Sequence, residues 1–171
     1  MPQMRTLQDA LIDEVRDLYH AEKQLVKALP KMAKAASHEE LRAALQAHLA
    51  ETENQVSRLE RVFELFDLKP RAKTCPGMAG IIEEGSEMLE EDAEDSVRDA
   101  MIIAAAQRAE HYEIAAYGTA CAWAEELGLS DVAKVLRETL NEEEATDKKL
   151  TTLAEGRINA AASEGAEVQA N

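Results

Sequence analysis

The 171-residue sequence predicts an all-α fold, a four-helix bundle made of two antiparallel hairpins joined by one long crossover. Three observations carry this reading. With 7 glycines, 4 prolines and 4% aromatics, the chain is dominated by Ala, Leu, Glu and Lys, which favour long helices over sheet. Apolar residues recur every three or four positions in four separate stretches, the repeat of one helical face. The connections between those stretches run short, long, short, so consecutive helices pair and the middle connection must cross the bundle.

The first helix is expected over 7–35, opened by Thr6 with Asp9 as a capping box, and Pro30 should kink it or end it early. Its stripe reads Met4, Leu7, Leu11, Val15, Leu18, Glu22, Leu25, Leu29, Met32. A second capping box, Ser37 with Glu40, opens the helix over 38–67. Its inner face carries Leu41, Leu45, His48, Glu51 or Thr52, Gln55, Leu59, Val62 and Phe66. The crossover spans 70–94 along the outside of the bundle and holds Cys75-Pro76-Gly77 and a short amphipathic helix (Met78, Ile81, Ile82, Met88, Leu89). Asp95 or Ser96 caps the third helix, 96–127, with the stripe Ile103, Ala106, Glu110, Glu113, Tyr117, Ala120, Ala124. Ser130 caps the fourth, 131–155, with Val132, Leu136, Leu140, Glu143, Asp147, Leu150 and Ala154, stopping at Gly156. Residues 1–156 therefore read as one domain, and 157–171, rich in Ala, Gly, Glu and Gln, as a flexible tail.

The formal net charge of −15 repels nucleic acid and anionic membrane, so neither is an expected partner. Two distant cysteines, Cys75 and Cys121, fit reduced thiols in the cytoplasm better than a disulfide framework or a zinc module. No secretory signal is read, and no apolar run approaches the ~20 residues of a membrane span.

Each apolar stripe is interrupted by polar residues near its middle: Glu22, then His48 and Glu51, then Glu110 and Glu113, then Glu143 and Asp147. Antiparallel helices of similar length bring their midpoints to one level, so these groups should converge on one interior layer. Six carboxylates and one imidazole in a dry layer, with no Lys or Arg on the inner positions, cannot balance themselves. Cations solve the problem, and two fit the ligand count better than one. Residues at i and i+3 or i+4 share a helix face, so His48–Glu51, Glu110–Glu113 and Glu143–Asp147 can each reach one ion. Oxygen-rich ligation with a single imidazole suits iron or manganese better than zinc or copper. Glu142 and Glu144 compete with Glu143, which alone continues the Leu136–Leu140–Leu150 stripe.

The segments LYHAEKQL (18–25), AHLAETENQ (47–55), AAAQRAEHYEIAAYGT (104–119) and ETLNEEEATDKKL (138–150) resemble the ferritin-like superfamily, and within it the YciF-type bacterial stress proteins. Di-metal bundles of that superfamily take one Glu from each of two helices and a Glu-x-x-His from each of the other two. By that pattern Glu22 and Glu110 are the single glutamates, and Glu51 and Glu143 the bridging candidates. Three departures stand out. Helix two reverses the order as His48-x-x-Glu51, helix four has Asp147 where His is expected, and Glu113 is extra. Glu110-x-x-Glu113 looks like the rubrerythrin helix, whose second glutamate moves on and off the metal. The resemblance implies a cytosolic, stress-associated, commonly dimeric protein with a carboxylate-bridged pair of metal ions, iron first and manganese as the alternative. Peroxide- or O₂-linked redox activity and non-enzymatic metal buffering are its two functional readings. A metal-free bundle acting through partner contacts is a third.

Other residues read as structural. Tyr19, Tyr112 and Tyr117 are expected to pack, His20 and His38 to lie at the surface, and Asp17 and Glu14 to be solvated. His111 turns away from the Glu110 face, and Trp123 and Met101 read as core or dimer contacts.

Overall fold

The computed structural model describes residues 4–167, and among them there is no strand. Helix α1 (Leu7–Ala35) opens on the Thr6–Asp9 capping box, each side chain accepting from the other's backbone N–H. It runs through Pro30, which sits on the exposed face, so the proline does not end the helix. Helix α2 (Glu39–Leu65) begins without the Ser37–Glu40 box. Asp99, buried on a later helix, takes its place by accepting the Ser37 and His38 N–H groups at 2.8 Å each. A buried carboxylate on two orphan amides is a stronger cap than an exposed hydroxyl, and the tertiary cap wins. Helix α2 ends where Asp67 adopts φ 55°, the left-handed conformation that lets the Leu68 N–H reach back to the Phe63 carbonyl.

Helix α3 (Pro76–Glu90) lies in the crossover, with Pro76 at its start and Cys75 as its cap. It packs on α1 and on α4 (Asp95–Glu126). His20 Nδ1 accepts the Cys75 N–H at 3.2 Å, and the Cys75 thiol meets the Tyr112 hydroxyl at 3.0 Å. His20 is thus a half-buried anchor for the crossover, not a surface residue. Tyr112 donates to Asp17 at 2.9 Å, so Asp17 is engaged too. Gly77 is required beneath that tyrosine: a Cβ there would sit 2.7 Å from its ring. Neither Asp95 nor Ser96 caps α4; Glu94 precedes it without a side-chain bond. Gly128 (φ 69°) turns the chain into α5 (Ser130–Leu153), whose first residue is Ser130 itself.

Past Leu153 the chain departs from the expected flexible tail. A π-helical turn, Ala154–Ile158, leads into α6 (Asn159–Glu167), which packs on α4; residues 168–171 of the predicted tail lie outside the described residues. Ile158 is 2% exposed and is the anchor of this extension.

Helices α1/α2 and α4/α5 form the two hairpins, and α1 with α4 and α2 with α5 close the square. Two apolar clusters fill the ends of the bundle. One joins Leu11, Val15, Leu59, Phe63, Ala124 and Val132; the other joins Leu25, Leu29, Leu41, Leu45, Ile102 and Leu150. The early part of α1 therefore meets the late part of α4, and α2 and α5 are likewise antiparallel. No described helix is long and apolar enough to cross a membrane.

Candidate metal centre

Between the two apolar clusters lies a polar slab of Glu22 from α1, His48, Thr52 and Gln55 from α2, Glu110 and Glu113 from α4, and Glu143 from α5. None of these is more than 3% exposed. His48, Glu110, Glu113 and Glu143 each offer one ligand atom, and those atoms all lie within 4.8 Å of one another. His48 Nε2 faces the group, 3.2 Å from Glu110 Oε1 and 3.9 Å from Glu143 Oε2.

The surrounding side chains orient these groups. Tyr117 donates its hydroxyl to Glu22 Oε1 at 2.5 Å. The Gln55 amide donates to Glu143 Oε1 and, at 3.0 Å, to Glu142 Oε2. Arg58 grips Glu142 with two nitrogens at 2.5 and 2.6 Å. The three consecutive glutamates are thereby separated: Glu143 points inward, Glu142 is ion-paired at the rim, and Glu144 is exposed.

Electrostatics leave the slab unbalanced. Glu22, Glu110, Glu113 and Glu143 have no Lys or Arg in salt-bridge range among the described residues. Five of their oxygens are buried with no partner: Glu22 Oε2, Glu110 Oε2, both oxygens of Glu113, and Glu143 Oε2. Burial pushes the carboxyls of Glu22, Glu110 and Glu113 well above the ordinary glutamate range, and the neighbouring carboxylates push the same way. The Tyr117 bond pulls Glu22 back in part. The Tyr117 hydroxyl is itself held protonated, first by burial and then by the charges of Glu22 and Glu113. Convergent orphan oxygens and one imidazole are what a hard or borderline cation requires, so the residues present fit a metal ion.

The slab gathers Glu22, His48, Glu110, Glu113 and Glu143 from the predicted set and leaves out Glu51 and Asp147. The Glu51 side chain is 45% exposed and sits 3.5 Å from His48 Nδ1, on the far side of the ring from the cluster. It can fix the imidazole's orientation instead of binding an ion itself. Asp147 turns to the α4–α5 seam, accepting from Gln107 at 2.9 Å and lying 3.2 Å from the exposed His111. Gln55 and Tyr117 join the site although periodicity alone gives them no role there. Gln55 lies seven residues, close to two full turns, beyond His48 and so falls on the same inner line. Tyr117 lies one turn beyond Glu113.

The chain matches known proteins over most of its length. The family model described as "Domain of unknown function (DUF892)" matches residues 6–163. Protein YciF of Escherichia coli (strain K12) is 50% identical over 157 residues, which is 91% of this chain and 95% of that protein. The crystal structure of the E. coli stress protein YciF superposes with a TM-score of 0.87, covering 91% of this chain and 99% of that one. YcfI from Rhodopseudomonas palustris, described as a candidate structural protein, does so with 0.87 at 46% identity, covering 88% and 96%. A Xanthomonas campestris pv. campestris protein at 20% identity, with a TM-score of 0.73 and 94% and 99% covered, shares the fold alone. The chain therefore belongs to the YciF-type family of ferritin-like helical bundles.

Proposed function

We propose that this protein is a cytoplasmic stress-response protein that holds two metal ions, iron first and manganese as the alternative, in its central slab and uses them to consume peroxide or O₂. The observation that carries the reading is the set of five buried, partnerless carboxylate oxygens in the slab, four of them on the glutamates that gather with His48. His48, Glu110, Glu113 and Glu143 would hold one ion. Glu22, with one oxygen fixed by Tyr117 and the other free, would complete the second with shared carboxylates. Bound iron supplies one-electron redox chemistry. The chain's own part is to hold the ligands dry, to keep Glu113 without a competing protein partner so that it can shift, and to fix Glu143 through Gln55. Homodimerisation is part of the proposal on the family resemblance, and sedimentation tests it.

Elemental analysis of protein purified without added metal, on wild type and on Glu22→Ala and Glu143→Ala, is the direct test. Wild type should retain close to two equivalents, and each variant should lose at least one. Wild type that is empty and remains so after loading would leave a metal-free bundle. Loading with Fe(II) under anaerobic conditions followed by peroxide, with a reductant supplied to return the oxidised ions to Fe(II), should then give peroxide loss beyond the one equivalent that a pair of ferrous ions can reduce.

A second reading, metal buffering or a structural role, is favoured by the missing histidine on α5. It predicts that chelation lowers the melting temperature while peroxide is untouched.

A further inference from the structure

A second feature of the fold opens onto the outer side of the slab. A half-open cavity of about 430 Å³ runs between α1, α3 and α4, and its floor is formed by His48 and Glu110. Its walls are aliphatic, chiefly Leu25, Leu29, Met32, Ile81, Ile82 and Leu89. At its lips lie the exposed Lys27 and Lys31, one turn apart on α1, with Ser86 and Glu90 opposite. Neither lysine is in salt-bridge range of an acid among the described residues. On a chain of net charge −15, two neighbouring cations without an acid in range mark the α1 lip of the apolar slot as its positive side, against the acidic α3 lip. Small residues keep the slot open: Gly85 on α3 faces Ala105 on α4, where an added Cβ would already touch the alanine at 3.4 Å.

We propose that this cavity binds a single-chain anionic amphiphile, a medium-chain carboxylate in the simplest case, with its head at Lys27 and Lys31 and its tail running inward. The volume lies in the range of small-ligand sites, roughly 300–1,000 Å³, and the aliphatic walls suit an unbranched chain. Orientation follows from charge. The floor is acidic, so the anionic head faces the lysines and the last tail carbons lie next to Glu110 and His48. Binding depends on the walls and the mouth, and it stands whether or not the slab holds metal.

Decanoate is the probe, titrated calorimetrically into the full chain as purified and after chelator treatment, below its micelle concentration. Saturable binding at one equivalent is expected in both, with acetate silent and decanol weaker. The Lys27→Glu/Lys31→Glu double variant should raise Kd about tenfold, the scale of losing and reversing two exposed ion pairs. Gly85→Leu, which fills the slot from α3, should abolish binding while circular dichroism and metal content stay unchanged. If Gly85→Leu fails to fold, Ile82→Phe replaces it. Binding unaffected by the lysine and wall variants would overturn the proposal. So would binding seen only with metal present and matched by acetate, which would put the head on the ion. A change of oligomeric state in these variants without loss of decanoate would assign the groove to a second copy of the chain and equally overturn it.

Discussion

Glu143 and Asp147 are one turn apart on α5 and carry the same charge, yet their surroundings differ. Glu143 is 0% exposed with an orphan oxygen, whereas Asp147 is already bonded to Gln107 and faces His111. Glu143→Ala should therefore abolish tight metal retention, and Asp147→Ala should change it less than about tenfold, measured by competition with a chelator. Equal losses from both would restore Asp147 as a ligand. Tyr117 tests the shell behind the ligands. Its hydroxyl is what fixes Glu22, and Tyr117→Phe leaves a buried carboxylate oxygen bare, at a cost of about 1–3 kcal/mol of metal-free stability. Metal affinity should fall about 10- to 100-fold, the usual effect of removing an outer-shell partner. A tyrosine that merely filled space would leave affinity unchanged, since Phe keeps the ring.

At the scale of the helices, much of the architecture could be read from the sequence, because long amphipathic repeats and the Thr6–Asp9 box are local signals. What could not be read was supplied from a distance. Ser37-x-x-Glu40 has the sequence of a cap, but Asp99 lies 62 residues from Ser37 and takes both amides. Asp99→Ala should lower stability by about 2–4 kcal/mol, two bonds to a buried charge, by urea unfolding, while Ser37→Ala changes little. The tail misled for the opposite reason. Its Ala-, Gly- and Glu-rich sequence shows no stripe, and one residue, Ile158, the only one buried among its described side chains, commits it to the bundle through a π-helical turn. Ile158→Ala should cost about 2–5 kcal/mol and expose α6 to proteolysis; a tail cleaved no faster than in wild type would argue against that anchoring. The site was legible to the same extent. Residues on the inner line of a helix, Gln55 among them, were found by periodicity, while Glu51 and Thr52 were left as alternatives because they are neighbours at the edge of that line, and only packing shows that Thr52 points inward and Glu51 outward.

For the whole molecule, the slab is a seam between two buried apolar clusters, so its charge state should set the stability of the bundle. Glu22, Glu110 and Glu113 have folded-state carboxyl pKa values raised above the ordinary 4.5 by burial and by one another. A raised acid pKa means that the folded state binds protons more tightly than the unfolded chain. The contribution is fully present below 4.5 and is lost as pH rises through the raised values, each tenfold gain in proton affinity carrying about 1.4 kcal/mol. Chelator-treated protein should therefore lose unfolding free energy as pH rises above the ordinary glutamate range in urea titrations. General repulsion on a chain of net charge −15 gives a slope of the same sign, so a variant must separate the two. Glu113→Gln removes one titrating group from the slab while altering net charge by only one, and it should flatten the slope visibly. Adding Mn(II) or Fe(II) should do the same for wild type but not for Glu113→Gln, because the cation takes over the role of the displaced protons and needs that carboxylate as a ligand. Slopes that are identical in wild type and Glu113→Gln, and insensitive to metal, would mean that the slab is not where the bundle keeps its charge.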